Sequence, residues 1–327
     1  MRFYSLTLTD NSGKQVRQWT SHPNGVNAAP DPGALNIEFD VMVSTFGTPI
    51  DPGGSIVTLE GVALADLYQP QQFVGLNFVL QGGMGIGLPL ANPAQAGVLM
   101  SGIVAQAFGN WVEDEMTLDF VVTGTTKVYS LEGPGNFTPN IPANTEIKHG
   151  IAQVLTQNYP GVKQIFNLQS GLVFSNVEAH VCSTLRQFSG YIQGLTKGFG
   201  GKATYPGVSI ASQGGQFLIF DGTTNTTSVQ IAFNDLVGQP TWIDANTMQI
   251  QTVMRGDIQI SNNATLPTGL QDAPGIATTI PLITQSKYSS TFQGAFNVFQ
   301  IRHVGNFRSP SGLDWVSIYN CSLITNG

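Results

Sequence analysis

The chain has 327 residues, enough for a sizeable buried core and, as a prior, for two or three domains. Charged residues make up only 10% of it, against roughly a quarter in ordinary globular domains. A surface built instead from Gly, Thr, Ser, Asn and Gln speaks against a free cytosolic enzyme and for a subunit that buries surface against others, and a net charge of −7 without a basic patch disfavours specific nucleic-acid binding.

Residues 1–130 read as sheet. Ser5 to Thr9 and Val16 to Trp19 flank Asp10-Asn11-Ser12-Gly13, whose residues tolerate the positive φ of a hairpin loop. Leu35, Ile37, Phe39, Val41 and Val43 then alternate with Asn36, Glu38, Asp40, Met42 and Ser44. Met116, Leu118, Phe120 and Val122 alternate in the same way with Thr117, Asp119, Val121 and Thr123. This period of two predicts antiparallel strands with one buried and one wetted face.

Over residues 131–227 the apolar spacing lengthens to three and four. Ile147, Ile151, Val154 and Leu155 predict a helix entered through Asn144-Thr145 and stopped before Pro160-Gly161. A second helix is expected from the capping-box spacing of Ser175 and Glu178, with Val181, Leu185, Phe188 and Ile192 on one face and Gly194 near its end. Val208 to Ala211 and Phe217 to Phe220 flank Gln213-Gly214-Gly215 as a hairpin. From residue 228 the sheet pattern returns, with strands expected over Thr247 to Val253, Asp257 to Ser261, Phe296 to Val304 and Trp315 to Leu323, and a long loop over Asn262 to Gly275. The fold class expected is mainly β with some α. Two barrel-like antiparallel β-domains, 1–130 and 228–327, flank a middle α+β domain, 131–227, of two helices and a hairpin.

Charge divides along the same lines. Residues 1–130 hold four basic against eleven acidic residues, residues 131–205 five against three, and residues 206–327 four against six. The acidic excess therefore belongs to the first segment. Cys182 and Cys321 are far apart and form neither a metal-type pair nor a disulfide scaffold. No hydrophobic leader is visible at the start, and no apolar run approaches the ~18 residues of a membrane span, so synthesis in the cytoplasm without a membrane span is expected.

Motifs with chemical associations reduce to structural readings. Gln81-Gly82-Gly83-Met84-Gly85-Ile86-Gly87 is glycine-rich like a phosphate loop, but Leu88-Pro89-Leu90 follows where Gly-Lys-Ser/Thr is required, and no Lys or Arg lies between Arg17 and Lys127. Gly82, Gly83, Gly85 and Gly87 are therefore expected to form a structural or docking loop. Glu113, Asp114 and Glu115 read as a solvated turn rather than an acid/base pair or metal site. His180 and Cys182, two apart on the expected helix, point to different sides. His22, His149 and His303 stand in unlike contexts, so no metal and no cofactor are expected.

Three segments carry a resemblance. They are Gly83-Met84 through Gly87-Leu88-Pro89-Leu90-Ala91-Asn92-Pro93-Ala94-Gln95-Ala96-Gly97 with Ala107-Phe108-Gly109-Asn110-Trp111; Leu236-Val237-Gly238-Gln239-Pro240-Thr241-Trp242-Ile243; and Arg302-His303-Val304-Gly305-Asn306-Phe307-Arg308. Together they are similar to baseplate hub proteins of contractile-tailed bacteriophages. The order β-domain, paired helices with a hairpin, β-domain also resembles the hub of type VI secretion spikes. The resemblance implies a non-enzymatic homotrimer in the virion tail baseplate, each subunit giving two tube domains to a pseudo-six-fold ring. That ring would join the tail tube protein to the spike protein, neighbour the baseplate wedge and tape measure proteins, and let DNA pass. Some hubs continue into a spike barrel or a hydrolase; this sequence reaches Gly327 without one, so the spike is expected to be a separate chain.

Within that reading, part of the acidic excess is expected to face the channel, because a DNA conduit works best when its wall does not bind phosphate. Glu38, Asp40 and Asp119, on the polar faces of their strands, are the residues chosen. The competing reading is a virion receptor- or carbohydrate-binding β-module, in which Trp19, Trp111, Trp242 and Trp315 would supply an exposed aromatic platform.

Overall fold

The structure, a computed structural model, describes all residues except 47–54, 88–90, 125–136, 200–204, 225–226, 245–246, 268–294 and 324–327. The N-terminal third forms β1 (Arg2–Thr9), β2 (Gln15–Thr20), β3 (Asn36–Ser44), β4 (Ser55–Glu60), a short α1 (Leu64–Tyr68), β5 (Asn77–Met84), β6 (Gly97–Val112) and β7 (Glu115–Thr123). The middle holds β8 (Asn140–Ile141), α2 (Ile147–Asn158), β9 (Gln164–Asn167), β10 (Glu178–Ala179), α3 (Leu185–Thr196), β11 (Ser209–Gln213) and β12 (Gln216–Phe220). The last third adds β13 (Ser228–Gln230), β14 (Thr241–Trp242), β15 (Thr247–Val253), β16 (Asn263–Thr265), β17 (Ala295–Asn306) and β18 (Trp315–Leu323). The protein is mainly β with some α.

Among the described residues, thirteen strands join in one sheet, whose main path runs β14-β15-β18-β17-β3-β4-β7-β6-β5-β1-β2. The two β-rich segments meet at β3 and β17, which pair antiparallel from Gln300 opposite Ser44 to Asn306 opposite Glu38. Beneath them lies a shared apolar core to which Tyr4, Phe39, Leu59, Phe78, Phe120, Ile250, Phe296, Ile301 and Tyr319 contribute. Removing such side chains from water is the main favourable term, at about 25 cal/mol per Å² of apolar surface.

The middle segment has its own core, where α2 and α3 pack on the three-stranded sheet β11-β12-β9 through Ile151, Leu155, Phe188, Ile192 and Ile219. The β11–β12 hairpin turns through Gly214 and Gly215, both at positive φ, as a two-residue primed turn requires. This core meets the large sheet through Phe46, whose N–H donates to the Ile210 carbonyl at 2.8 Å.

Four expectations are corrected. The second helix begins at Leu185, not near Ser175, because Glu178 and Ala179 pair with Ile141 and Asn140 as strand and the cap is Thr184, whose side chain accepts from Gln187 N–H. Consequently His180 and Cys182 are not on a helix: His180 is exposed and stacks on Tyr191, whereas Cys182 is buried opposite Phe137. Asp257 to Ser261 is not a strand, since Asp257 is drawn to Arg255 and Ser261 adopts φ +70. The glycine run is not a loop throughout, because Gly82 and Gly83 are the end of β5. A β-carbon on Gly82 would stand 2.6 Å from Leu99 Cδ1 and one on Gly83 2.6 Å from Ala96 Cα, so the glycines serve close packing. Of the loop expected over Asn262 to Gly275, residues 263–265 are β16, and the part from 268 onward lies outside the described residues.

Candidate functional site

The acids picked out by strand alternation share one face of adjoining strands. Glu38 on β3 is opposite Thr58 on β4, and Thr58 is opposite Asp119 on β7. Neighbouring side chains of that face lie ~5 Å apart across an antiparallel pair, so the three form one transverse row. Phe108 continues the row on β6 and Asn306 on β17. One step along the strands, Asp40 is opposite Ile56 and Val304. The facing set of residues (Phe39, Val57, Phe120, Trp315) is buried, so the period of two separates a dry from a wetted surface.

The three acids differ in environment. Glu38 is exposed. Asp119 is half-buried, and its Oδ1 accepts from Thr58 Oγ1 at 2.7 Å while Oδ2 accepts from Asn110 Nδ2. Asp40 forms a two-pronged ion pair with Arg302, whose Nε donates to Oδ1 at 2.8 Å and whose Nη2 donates to Oδ2. Arg302 offsets the charge of Asp40, whereas the hydrogen-bond partners of Asp119, Thr58 and Asn110, are neutral. Sequence reasoning missed Glu60 and Asp314: Glu60 shares the face with Thr58, and Asp314 lines a shallow depression with Glu38, Asp40, Ile56, Thr58 and Asn306. Glu60 had a legible signal in the alternation of Val57 and Leu59 with Ile56, Thr58 and Glu60.

Elsewhere, chemistry-bearing residues serve packing. His303 Nδ1 and Ser317 Oγ lie 2.8 Å apart, a base–nucleophile distance, but both are at most 1% exposed, which closes them to substrate. Glu113, Asp114 and Glu115 are exposed at the β6–β7 turn. His22 is buried against Gly85, and His149 is exposed on α2. Among the described residues no group of three or more His, Cys, Asp or Glu is placed to hold a metal ion, and no helix is long and apolar enough to cross a membrane. Four tryptophans do not make a platform: Trp315 is buried, Trp19 packs on Phe73 and Phe120, Trp242 packs on Phe296, and Trp111 stands exposed at the hairpin end.

No protein-family model matches the chain, and no curated protein matches it by sequence. Its fold does have solved counterparts. An E. coli component of the type VI secretion system, described as structurally similar to the T4 bacteriophage tail proteins gp27 and gp5, aligns with TM-score 0.50 at 9% identity, over 89% of this chain and 74% of that one. The tail protein from Neisseria meningitidis MC58 aligns with TM-score 0.50 at 9% identity, over 98% and 96%. A 43 kDa tail protein of prophage MuSo2 from Shewanella oneidensis gives 0.49 at 10% identity, over 98% and 96%. The chain thus has the fold of tail and type VI secretion components across nearly its whole length, and the resemblance read from sequence is met at the level of fold.

Proposed function

We propose that the protein is a structural hub of a phage tail baseplate: three copies form a pseudo-six-fold ring that joins the tail tube to the spike and lets DNA pass. The observation that carries this reading is a wetted sheet face on which Glu38, Asp119 and Asp40 stand on adjoining strands, in a chain with the tail-protein fold. A ring wall needs a dry face for its core and a wet face for its lumen, and acids on the wet face repel phosphate rather than hold it. Gly82 and Gly83 close the sheet end, and the Gly85–Gly87 turn beside it serves as the docking element for a neighbouring tail protein. The protein carries no reaction and no cofactor in this role.

Purified tails then contain three copies of the chain. Replacing Glu38, Asp40 and Asp119 together by Lys slows DNA ejection at low salt, and the effect fades as salt rises because added ions screen the new attraction to phosphate. Asp40→Lys also releases Arg302 from its ion pair, so it adds as much positive charge to the face as either of the other two replacements. Six equivalent copies per tail, or unaltered ejection at low salt, would refute the respective parts of the reading.

A further inference from the structure

His22 is buried where a charge would be costly. It lies in the irregular segment after β2, 2% exposed, with the Phe3 ring of β1 edge-on at 5.5 Å between centroids. Its Nδ1 lies 2.8 Å from Ser21 Oγ, which is itself buried and accepts from the Tyr4 N–H at 3.0 Å. Its Nε2 is buried with no hydrogen-bond partner. A β-carbon on Gly85 would stand 2.9 Å from Nε2 and 3.2 Å from the Val26 carbonyl oxygen, so ring, loop and turn are already in close contact.

Few bonds hold the parts around this ring. Gly85 N–H donates to the Met1 carbonyl at 2.6 Å, and the Met1 ammonium donates back to the Gly85 and Ile86 carbonyls at 3.0 and 2.9 Å. On the loop side, Gly25 N–H donates to the His22 carbonyl at 3.0 Å and Asp31 N–H to the Ser21 carbonyl at 2.8 Å. The charged groups nearby do nothing to welcome a proton. From β1 the Met1 ammonium repels it, while Arg2 is turned to the carbonyls of Asn306 and Phe307. From the loop, Asp31 directs its carboxylate to the Gly33 N–H, and the Gly85–Gly87 turn has no titratable side chain.

We infer that His22 is a proton-operated latch: while neutral it seats against the Gly85–Gly87 turn, and once charged it leaves and the turn opens with it. A neutral imidazole can bury Nε2 as a bare lone pair. A charged one carries an N–H on both nitrogens, and the N–H on Nε2 would be a buried cationic donor without an acceptor. Burial first, and the Met1 ammonium second, hold the pKa below the ordinary 6.5. Seating is therefore fully favoured above pH 6.5 and is lost as pH falls toward the lowered value, by up to about tenfold per pH unit. The consequence, that mild acid releases a neighbour docked on this turn, rests on the docking role proposed above; the opening itself belongs to the single chain.

Hydrogen exchange of the isolated full chain, read by mass spectrometry at pH 7 and pH 5 and corrected for the intrinsic pH dependence, tests the latch. Protection of peptides covering residues 21–31 and 84–87 is expected to fall at least about fivefold in the wild type, with near-ultraviolet circular dichroism unchanged, and to hold steady in His22→Gln, which cannot take up a proton. Should His22→Gln be open already at pH 7, the wild-type imidazole decides. Its NMR resonance, assigned by its loss in the variant, is expected to titrate below pH 6.5 in step with the loss of protection. Constant protection in the wild type, an equal fall in both proteins, or an imidazole that takes up its proton while those amides stay protected overturns the latch. Copy number in purified tails reads the hub assignment separately, so a latch that fails leaves that assignment standing.

Discussion

His303 shows what burial does to a titratable side chain. It sits on β17 at 1% exposure with Ser317 Oγ at 2.8 Å from Nδ1, and burial holds its pKa down at about 3, against 6.5 for a free imidazole. The unfolded chain therefore takes up a proton first. Stability from this site is fully present above pH 6.5 and is lost as pH falls toward 3, at a limiting rate of roughly 1.4 kcal/mol per pH unit. His22, also depressed by burial, adds a term of the same sign. His303→Asn, which keeps a donor near Nδ1, is expected to lower stability at neutral pH but to flatten its decline on acidification. Urea unfolding at several pH values between 7 and 4 reads the difference, and equal slopes for the two proteins would show that His303 is not its source. Residue type alone could not place this histidine: it is buried because Val41 and Ser317 flank it in the sheet.

At the scale of elements, α3 shows how two valid local signals compete. Ser175-x-x-Glu178 has capping-box spacing, but Thr184-x-x-Gln187 is the pair that works, with Thr184 Oγ1 accepting from Gln187 N–H at 3.1 Å and Ser183 N–H donating to Gln187 Oε1 at 2.8 Å. Glu178 was claimed by β8, a partner 37 residues upstream in register, and its carboxylate accepts from Tyr191 Oη at 2.7 Å. Removing the working cap should cost about 1 kcal/mol: Thr184→Ala lowers the melting temperature of the helical signal, while Ser175→Ala leaves it unchanged. Circular dichroism of the two variants separates the caps. The β1–β2 hairpin and the β11–β12 turn were legible because turn chemistry and alternation are both local. The stretch Asp257 to Ser261 was not, because its alternation reflects Ile258 and Ile260 entering the core from irregular backbone held by Arg255.

Across the whole molecule, Gly83, Gln95 and Gly305, from the first and third of the segments that carried the resemblance, lie at the seam between its β-rich parts. Arg255, 2% exposed, donates through Nη1 to Asp235 Oδ2 at 2.9 Å and through Nε to Asp257 Oδ1 at 2.7 Å. Burial works against its charge, and the hydrogen bonds and charge of Asp257 more than offset this, so its pKa is net raised. Gln95 joins from the first segment, its Nε2 donating to Asp235 Oδ2 at 3.1 Å and its carbonyl accepting from Gly256 N–H at 2.8 Å. Trp315 donates to the Gly83 carbonyl at 2.9 Å, and Gly305 leaves room for the Phe39 ring. Arg255→Met strands two carboxylates at this seam and should cost about 3–5 kcal/mol, whereas adding Asp235→Asn and Asp257→Asn should recover most of the loss. Chemical unfolding of the single and triple variants measures both, and a triple variant no better than the single one would mean that shape rather than charge holds the seam.

By itself the sequence determined the β-rich class, half of the eighteen described strands, two of the hairpin turns, the first helix, and the polar faces bearing Glu38, Asp40 and Asp119, because alternation and turn chemistry act over a few residues. Only tertiary structure decided that β3 pairs with β17, that Arg302 meets Asp40 from 262 residues away, and that Trp111 hangs beyond the core while Trp315 lies within it. Which strand edges meet is decided by the joint burial of a core drawn from the whole chain, and a period of two says which face is dry without saying what covers it.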